Sequence, residues 1–208
     1  IVDADMLATD AVIAAKIDDG AVTAAKLGAE AVTSGKIGNG GIIQVKSAVK
    51  TGYQSFHDGG TDTFIDITGL SITITPTHTS NKLLVNYQIS GSGSNNSYAS
   101  IKCVYNVDGG SFNDTVVSDA LAAANGDALI RATCSLDTIN SQGIYKLLTR
   151  GSSFLHAPSS TGTLIYKLQL AQIYDAANMT SWINRCTDIA NKPRSVGIST
   201  LTIMEVVA

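Results

Sequence analysis

The chain has 208 residues, of which 15% are charged and 6% aromatic, and its formal net charge is −3. This composition, rich in Gly, Ser, Thr, Asn and Ala, is poor for a helical bundle and common in β-rich viral or secreted proteins. The longest apolar runs are too short to span a membrane, and no basic stripe is present that would bind nucleic acid through its phosphates.

The net negative charge lies in residues 1–41. Three lysines there face six acidic residues, and the other 11 of the 14 basic residues balance the other 11 of the 17 acidic residues. We therefore expect residues 42–208 to form an uncharged domain overall, with no nucleic acid as a partner.

Three consecutive decapeptides occupy residues 10–39: DAVIAAKIDD, GAVTAAKLGA and EAVTSGKIGN. Residues 1–9 fit a degraded fourth copy. Each copy carries one Val, one Ile or Leu (two Ile in the first copy) and small Ala residues, too little apolar surface to offset the entropy of ordering ten residues. Another part of the molecule, or another copy of it, must cover these side chains.

We predict that the repeats wind with copies of themselves about a common axis, since small Ala residues allow close approach. The lysines at a fixed step could then pair with an acid on a neighbouring chain. Residues 1–41 are too few to form a stacked solenoid of several turns. A disordered linker has no need of hydrophobic residues at a regular spacing. The step of five residues fits neither a plain helix nor a plain strand. The axial residues are predicted to be Val12, Ile17, Val22, Leu27, Val32 and Ile37.

From Ile42 the sequence alternates apolar and polar residues. Strands are predicted around Leu70–Ile74, Leu83–Ile89, Ile101–Val107 and Leu164–Leu170. Ile65 and Ile67 have the opposite parity to Leu70, so Thr68-Gly69 indicates a bulge or turn. The final strand, Ile198–Val206, is apolar on both faces, and we expect it to be central or covered by another subunit.

Turn signals separate these segments. Asp108-Gly109-Gly110 predicts a hairpin into Phe112–Val117, and Ser118-Asp119 predicts a cap for a short helix over Ala120–Asn125. About eight strands of this kind predict a mainly β protein, in which a short-repeat shaft at residues 1–41 precedes an antiparallel, jelly-roll-like β-sandwich at residues 42–208.

The residues offer little for catalysis. Hydrolysis of glycans usually needs two carboxylates flanking the bond, yet the chain has only Glu30 and Glu205 as glutamates. The widely spaced cysteines indicate reduced core thiols in a protein assembled in a cytoplasm. We therefore predict no catalytic residue, no metal site and no cofactor around the isolated Cys103, Cys134, Cys186, His57, His78 and His156.

Carbohydrate binding needs an exposed aromatic face beside hydrogen-bonding groups. Trp182, flanked by Thr180, Ser181 and Asn184, is one candidate, although a core residue is the alternative interpretation. The other is a polar, flexible Gly/Ser loop suited to an exposed tip, together with the tyrosine after it; a plain hairpin connection is the alternative. Its residues are Gly91, Ser92, Gly93, Ser94, Asn95, Asn96, Ser97 and Tyr98.

Short repeats that lead into a β-domain resemble the tail fibres of tailed bacteriophages, and the AVTxAK-like decapeptides look like their shaft repeats. The distal part is similar to a tip domain in fibres of marine phages, including those of cyanobacteria. The residues that carry this likeness are Phe64–Ile67, Leu70–Pro76, Ser80–Val85, Ile183–Arg185 and Ser199–Val206.

The resemblance implies a homotrimeric fibre located in the virion, joined to other tail proteins through its N-terminal side. It also implies attachment to a host surface glycan or outer-membrane component. A purely structural connector or decoration protein of the virion is the main alternative. A glycan-cleaving tailspike is a further one, against which the shortage of carboxylates counts.

The axial burial of the repeats leads to a testable expectation. Light scattering of the folded chain should give the mass of three copies, and Val22→Asp or Leu27→Asp should lower the melting temperature of the trimer. An uncompensated buried charge costs several kcal/mol, and threefold symmetry repeats that cost on each chain. A monomer mass, or wild-type melting of both variants, contradicts axial burial.

Overall fold

The computed structural model describes residues 12–28, 31–33, 36–57, 63–93, 98–112, 134–137, 147–173, 180–187 and 193–208. The chain divides into two compact units, Ile1–Ile37 and Gly38–Ala208. Within the described ranges, no helix is long and apolar enough to cross a membrane. The predicted helix at Ala120–Asn125 and residues 113–117 of the predicted hairpin strand lie outside these ranges.

The repeats of the first unit make a turn every five residues. The N–H groups of Lys16, Lys26 and Lys36 each donate to the carbonyl three residues earlier, at 2.8, 2.9 and 2.9 Å. Between them, Ala21 and Ala31 make the same type of bond at 2.9 and 3.1 Å. Two of the lysine turns are single-turn 3-10 helices, Ala14–Lys16 and Ala24–Lys26. The alternation of two turns per decapeptide explains why the aliphatic residues recur at a step of five.

Most of the predicted axial residues are exposed in the single chain. Their exposed fractions are 60% for Val12, 45% for Ile17, 57% for Val22, 46% for Leu27 and 58% for Val32, whereas Ile37 is half-buried. The amino groups of Lys26 and Lys36 donate to Ala21 O and Ala31 O of their own chain, at 2.7 and 2.9 Å. Burial of the aliphatic residues about an axis stays a prediction.

The second unit is mainly β, with antiparallel sheets, as the sequence predicts. Its largest sheet is centred on one long strand, β4, which pairs along one edge with β12 and then β9, and along the other with β7. Strand β1 pairs with the outer edge of β12, and β2 with that of β9. The strands of this six-stranded sheet are β1 (Ile42–Lys50), β2 (Gln54–Phe56), β4 (Lys82–Gly93), β7 (Leu148–His156), β9 (Ser181–Ile183) and β12 (Ser199–Val206).

A four-stranded antiparallel sheet supplies the other half of the core. In spatial order it contains β3 (Ile65–Ile74), β8 (Leu164–Ile173), β5 (Tyr98–Val107) and β6 (Cys134–Asp137). A separate two-stranded ribbon is formed by β10 (Arg185–Thr187) and β11 (Pro193–Val196). Side chains of the two larger sheets pack into one hydrophobic cluster.

The period-two alternation of the sequence is confirmed in the core strands. On β4 the odd-numbered residues from Leu83 to Ile89 are buried, and on β8 the even-numbered residues from Leu164 to Leu170 are buried. Strand β5 differs from the predicted one-sided pattern, because Ser100, Lys102 and Asn106 on its second face are buried as well. The ammonium group of Lys102 lies 4.1 Å from the ring centroid of Phe64.

The predicted bulge in β3 is confirmed. The pairing of β3 with β8 shifts register between Asp66 and Ser71, and Gly69 has a φ of 86°, which favours glycine. Two side chains of the other sheet satisfy the irregular backbone. Lys50 Nζ donates to Thr68 O at 2.9 Å, and Gln54 both donates to Asp66 O at 3.0 Å and accepts from Thr68 N at 2.8 Å. The bulge therefore joins the two sheets through hydrogen bonds.

Three other sequence predictions are confirmed, the third for two of the three cysteines. Asp108 and Gly109 form a tight turn with positive φ values of 49° and 74°, closed by Gly110 N donating to Val107 O at 2.9 Å. Strand β12 is central, between β1 and β4, and alternates buried and half-buried residues. The strand begins at Ser199, so Ile198 precedes it and is exposed. The core-thiol interpretation is confirmed for Cys103 and Cys186, which are free and buried; the side chain of Cys134 lies outside the described ranges.

The last inward-facing residue of β12 is a fully buried carboxylate, Glu205. It accepts hydrogen bonds from Asn81 Nδ2 at 2.6 Å, from Thr77 N at 2.7 Å, from Thr77 Oγ1 at 2.9 Å and from Gln44 Nε2. Burial by itself raises the pKa of this carboxyl, but these donors outweigh burial and hold the pKa below its ordinary value. Glu205 thus ties β1 and the connection between β3 and β4 to the end of β12.

A buried histidine leads to a prediction about pH. His156 Nδ1 is hydrogen-bonded to the Tyr166 hydroxyl, its ring centroid lies 4.5 Å from that of Tyr105, and burial lowers its pKa to about 4. The unfolded chain binds this proton near pH 6.5 and the folded chain only near pH 4, so stability falls as the pH drops between these values. We expect a loss of about 2 kcal/mol in the free energy of unfolding from pH 7 to pH 5.

Urea unfolding at several pH values measures this loss, with His156→Gln as the control. Glu205 and Asp66 have lowered pKa values, so the stability that they contribute is lost only below the ordinary carboxyl range. The variant should therefore have a flatter profile between pH 7 and pH 5. An unchanged slope in His156→Gln contradicts the assignment to His156.

Candidate functional site

The structure places the two predicted contact segments side by side. Gly91, Ser92 and Gly93 end β4 and pair with Ile183, Trp182 and Ser181 of β9. Trp182 lies directly opposite Ser92 on one neighbour and Ser55 of β2 on the other. Residues far apart in the sequence therefore meet on one face of the six-stranded sheet.

The prediction that Gly91, Ser92 and Gly93 belong to an exposed loop is wrong. They continue β4 and are buried, because β10 packs against this end of the strand. Ser92 Oγ donates to Arg185 O at 2.7 Å, which fixes the start of β10. These three residues support the neighbouring surface. Outside the described ranges lie Ser94, Asn95, Asn96, Ser97 and the side chain of Tyr98.

Trp182 is half-buried, whereas its strand neighbours Ser181 and Ile183 are 2% and 0% exposed. Alternation along β9 points those neighbours into the core and Trp182 to the outer face of the sheet. The structure therefore does not support the alternative interpretation, in which Trp182 is a residue of the buried core.

A second aromatic residue lies on the same outer face. Tyr53 directly precedes β2 and has the same parity as Ser55, and it is 62% exposed. The guanidinium carbon of Arg185 lies 4.8 Å from the Tyr53 ring centroid. We call Tyr53, Ser55, Trp182 and Arg185 the aromatic patch. Apolar ring faces beside polar groups suit a sugar, whose rings also combine apolar faces with hydroxyl edges.

Hydrogen bonds of the Asn184 side chain position the residues of this patch. It adopts a φ of 61°, which Asn tolerates better than most residues, and its side chain is buried. Asn184 Nδ2 donates to Lys50 O at 2.6 Å and Gly52 O at 3.1 Å, and its Oδ1 accepts from Ser199 Oγ at 2.6 Å. These bonds hold the segment before Tyr53 and the bend between β9 and β10, which places Arg185 over the ring.

In the sequence, Asn184 is a polar neighbour of Trp182 and lies with Arg185 in a segment that carries the family resemblance, but neither Arg185 nor Tyr53 was predicted as a site residue. No sequence signal identifies an asparagine as the residue that joins three segments. Tyr53 follows a glycine before a three-residue strand, a pattern too short to show which face its ring occupies.

A second feature of the outer face is an open depression of about 410 Å³ across β7, β4 and β12. Gln88 lies opposite Thr200 on one side and Gly151 on the other, and Asn86 lies opposite Ser153. We call this the polar depression. It is lined by Asn86, Tyr87, Gln88, Thr149, Arg150, Gly151, Ser152, Ser153 and Thr200.

Gly151 allows β7 to approach β4 closely at the depression. A Cβ atom at this position would lie 2.3 Å from Tyr87 O, which no real side chain tolerates without a shift of the backbone. A glycine is therefore required beside Gln88, and its missing side chain leaves the depression open there.

In the part of the chain that the structure describes, no three His, Cys, Asp or Glu side chains are grouped to hold a metal ion. Burial raises the pKa of the Cys103 thiol well above its ordinary value, so this thiol stays protonated and unreactive at neutral pH.

The network around Asn184 can be tested by two substitutions. Asn184→Gly keeps the positive φ and removes the side-chain bonds, and Asn184→Ala removes the bonds and adds backbone strain. We expect Asn184→Gly to lower the free energy of unfolding by about 2–3 kcal/mol, and Asn184→Ala by about 1 kcal/mol more. Urea denaturation measures both, with exposed Ser55→Ala as the control, expected within about 0.5 kcal/mol of wild type. Wild-type stability of Asn184→Gly contradicts the role given to this residue.

No protein-family model and no curated protein match the sequence. Among solved structures, the chain is similar to "Structure of infectious bursal disease virus Gt strain", at 15% identity and a TM-score of 0.41, with 79% of this chain and 38% of that chain covered. It is also similar to a structure of the Gx strain of that virus, at 12% identity and a TM-score of 0.28, with 80% and 39% covered.

The chain thus spans less than two-fifths of the length of either virus chain that it matches. Likenesses as weak as these assign neither a family nor a role.

Proposed function

We propose that this chain is the distal part of a bacteriophage tail fibre. In this proposal residues 1–41 form the thin shaft of a homotrimer, and residues 42–208 form a β-sandwich tip that attaches the virion to the host surface. The observation that carries the proposal is the outer face of the six-stranded sheet, where an exposed aromatic patch and an open polar depression lie on the same side.

The repeats support the trimeric part of the proposal. Five aliphatic residues at a regular step are between 45% and 60% exposed in the single chain. Each aliphatic side chain contributes about 1.5–3 kcal/mol when it is fully buried. Three chains side by side can remove this surface from water, and the regular turns present it at matching positions on each chain.

The outer face supports the attachment part. Ser92, beside Trp182, and Gln88, in the polar depression, are four residues apart on the same face of β4, which is about 13 Å along the strand. A glycan of several sugar units can contact both features. Neither contains a carboxylate among its described residues, so the two-carboxylate hydrolysis of glycans has no counterpart here.

We expect each contact to be shallow and individually weak. Three tips on one fibre, and several fibres on one virion, raise the apparent affinity by avidity. Binding at the aromatic patch should need no metal. It should depend only weakly on salt, because residues 42–208 carry equal numbers of acidic and basic side chains.

A purely structural connector is the second candidate, and β1 favours it. Ile42, Val45 and Val49 are 53%, 53% and 55% exposed on this edge strand of the six-stranded sheet. An exposed aliphatic edge suits contact with another protein of the virion. The two roles differ in whether the free tip competes with virions for the host.

Competition and adsorption test the attachment proposal. The free trimeric protein should block adsorption of virions to their host. Tyr53→Ala and Trp182→Ala in the fibre should slow adsorption about tenfold or more, because exposed aromatic residues dominate such contacts. Tyr53 is mostly exposed, so its loss should leave the melting temperature unchanged. Val45→Ser, which removes an exposed apolar side chain elsewhere, is the matched control.

Normal adsorption by both folded variants removes the aromatic patch from attachment. Failure of the free protein to compete, together with loss of the fibre from virions carrying Val45→Ser, supports the connector role in its place.

A further inference from the structure

One end of the outer face of the six-stranded sheet is apolar. Val45 of β1 lies opposite Met204 of β12, which lies opposite Leu84 of β4, and Leu84 lies opposite Leu155 of β7. Alternation points these residues outward, and Val45 and Leu155 are 53% and 46% exposed. Ile42, which is 53% exposed, and Val206 form the adjacent pair. We call the six residues Ile42, Val45, Leu84, Leu155, Met204 and Val206 the apolar band.

The apolar band has polar borders. At one border, exposed Lys82 lies opposite Val206. Burial of aliphatic side chains gains free energy, whereas burial of unpaired amides or of an ammonium group costs it. A contact surface should therefore cover the band and stop at these borders. The other border is a row of hydroxyl and amide residues, Ser47, Thr202, Asn86 and Ser153, in which the Ser47 and Thr202 hydroxyls are hydrogen-bonded at 3.1 Å.

The chain enters the second unit beside the apolar band. Gly40 N donates to Val207 O at 2.7 Å, and Val207 N donates to Gly41 O at 2.9 Å, so the segment before β1 is fixed to the end of β12. Ile42 lies five residues after Ile37, the last aliphatic residue of the repeats. Five residues span at most about 17 Å, so copies that associate through their repeats hold their apolar bands near one another.

We propose that the apolar band is the contact between copies of this chain in the tip, and that it faces the common axis of the trimer. The inference rests on the proposed trimeric fibre, and it adds an interface of the second unit to that of the repeats. A second copy fits because the six residues of the band carry no charge, so identical bands can meet about an axis without repulsion between like charges. The ammonium group of Lys82, at the border, can remain in water.

The size of the band suits an interface that depends on the repeats. A stable interface between free proteins buries about 800 Å² on each partner, more than six side chains that are already partly covered can supply. Association through the repeats makes contact between the bands intramolecular, and the high effective concentration then allows a small surface to pair. We therefore expect the bands to meet only in chains whose repeats are associated.

The proposed contact leaves the aromatic patch free. Along β4, Gln88 of the polar depression lies four residues beyond Leu84, and Ser92, beside Trp182, lies eight residues beyond it. These separations correspond to about 13 and 26 Å along the strand. The aromatic patch thus lies at the opposite end of β4 from the band, where a glycan can reach it while the copies stay in contact.

Cysteine labelling of the full chain tests the proposal. Val45 and Val49 lie on the same face of β1 and are 53% and 55% exposed in the single chain, but only Val45 belongs to the band. In the trimer, a maleimide should modify Val45→Cys about tenfold or more slowly than Val49→Cys, since modification then requires the contact to open. Leu155→Cys, at the other end of the row, should also react slowly. The wild-type chain gives the background from its own cysteines, of which Cys103 and Cys186 are buried.

The same labelling identifies what covers the band. In Val22→Asp chains that light scattering shows to be monomers, Val45→Cys should react as fast as Val49→Cys. Equal rates in the trimer overturn the proposal. Slow labelling of Val45→Cys in monomers overturns it as well, since the chain itself then covers the position. Equal rates in the purified trimer, followed by protection of Val45→Cys in virions, overturn it in favour of another virion protein.

The outcome is separable from that of the attachment function. A trimer with equal labelling rates keeps the proposed fibre and rejects only the inference, whereas a monomer mass rejects the trimer and the inference together. Slow labelling of Val45→Cys in a trimer that does not block adsorption supports the inference and rejects attachment. Val45→Ser, the control for adsorption, changes one edge residue of the band and leaves the repeats intact, so the trimer should still form.

Discussion

The pairing of β4 on both of its edges is the constraint on which the second unit depends. Between Leu83 and Gln88 it is bonded to β12 on one side and β7 on the other, so a slip by one residue would break two ladders at once. Its inward residues fill the core, and its outward residues, Asn86, Gln88 and Ser92, position both features of the candidate site. The same strand register therefore buries the inward residues of β4 and places its outward residues at the candidate site.

Polar side chains add hydrogen bonds between segments that the strand ladders do not join. Asn184 joins the bend after β9 to the segment before Tyr53, and Glu205 joins the end of β12 to β1 and the connection before β4. Lys50 and Gln54 satisfy the bulge in β3. Asn184 and Glu205 each bond several groups from segments distant in sequence, so the loss of either residue leaves several buried groups unsatisfied.

Both units are rich in small and β-branched residues, but they differ in whether these side chains are buried within the chain. In the second unit, alternation with period two gives each strand a face to bury within the chain. In the first unit, a turn every five residues interrupts any such face, and the aliphatic side chains stay exposed. The first unit thus has exposed aliphatic side chains at a regular step, and the second has the aromatic patch and the polar depression on one face of its larger sheet.

The sequence by itself determined the local features. The alternation in β4 and β8, the bulge at Gly69, the turn at Asp108-Gly109 and the ten-residue repeat are all visible, because each depends on neighbouring residues. Only the tertiary structure decided that Gly91–Gly93 form a buried strand end and that Tyr53 and Arg185 join Trp182. Strand partners are chosen by contacts between residues far apart in the sequence, and a short apolar or polar run has the same local pattern whichever strand it pairs with.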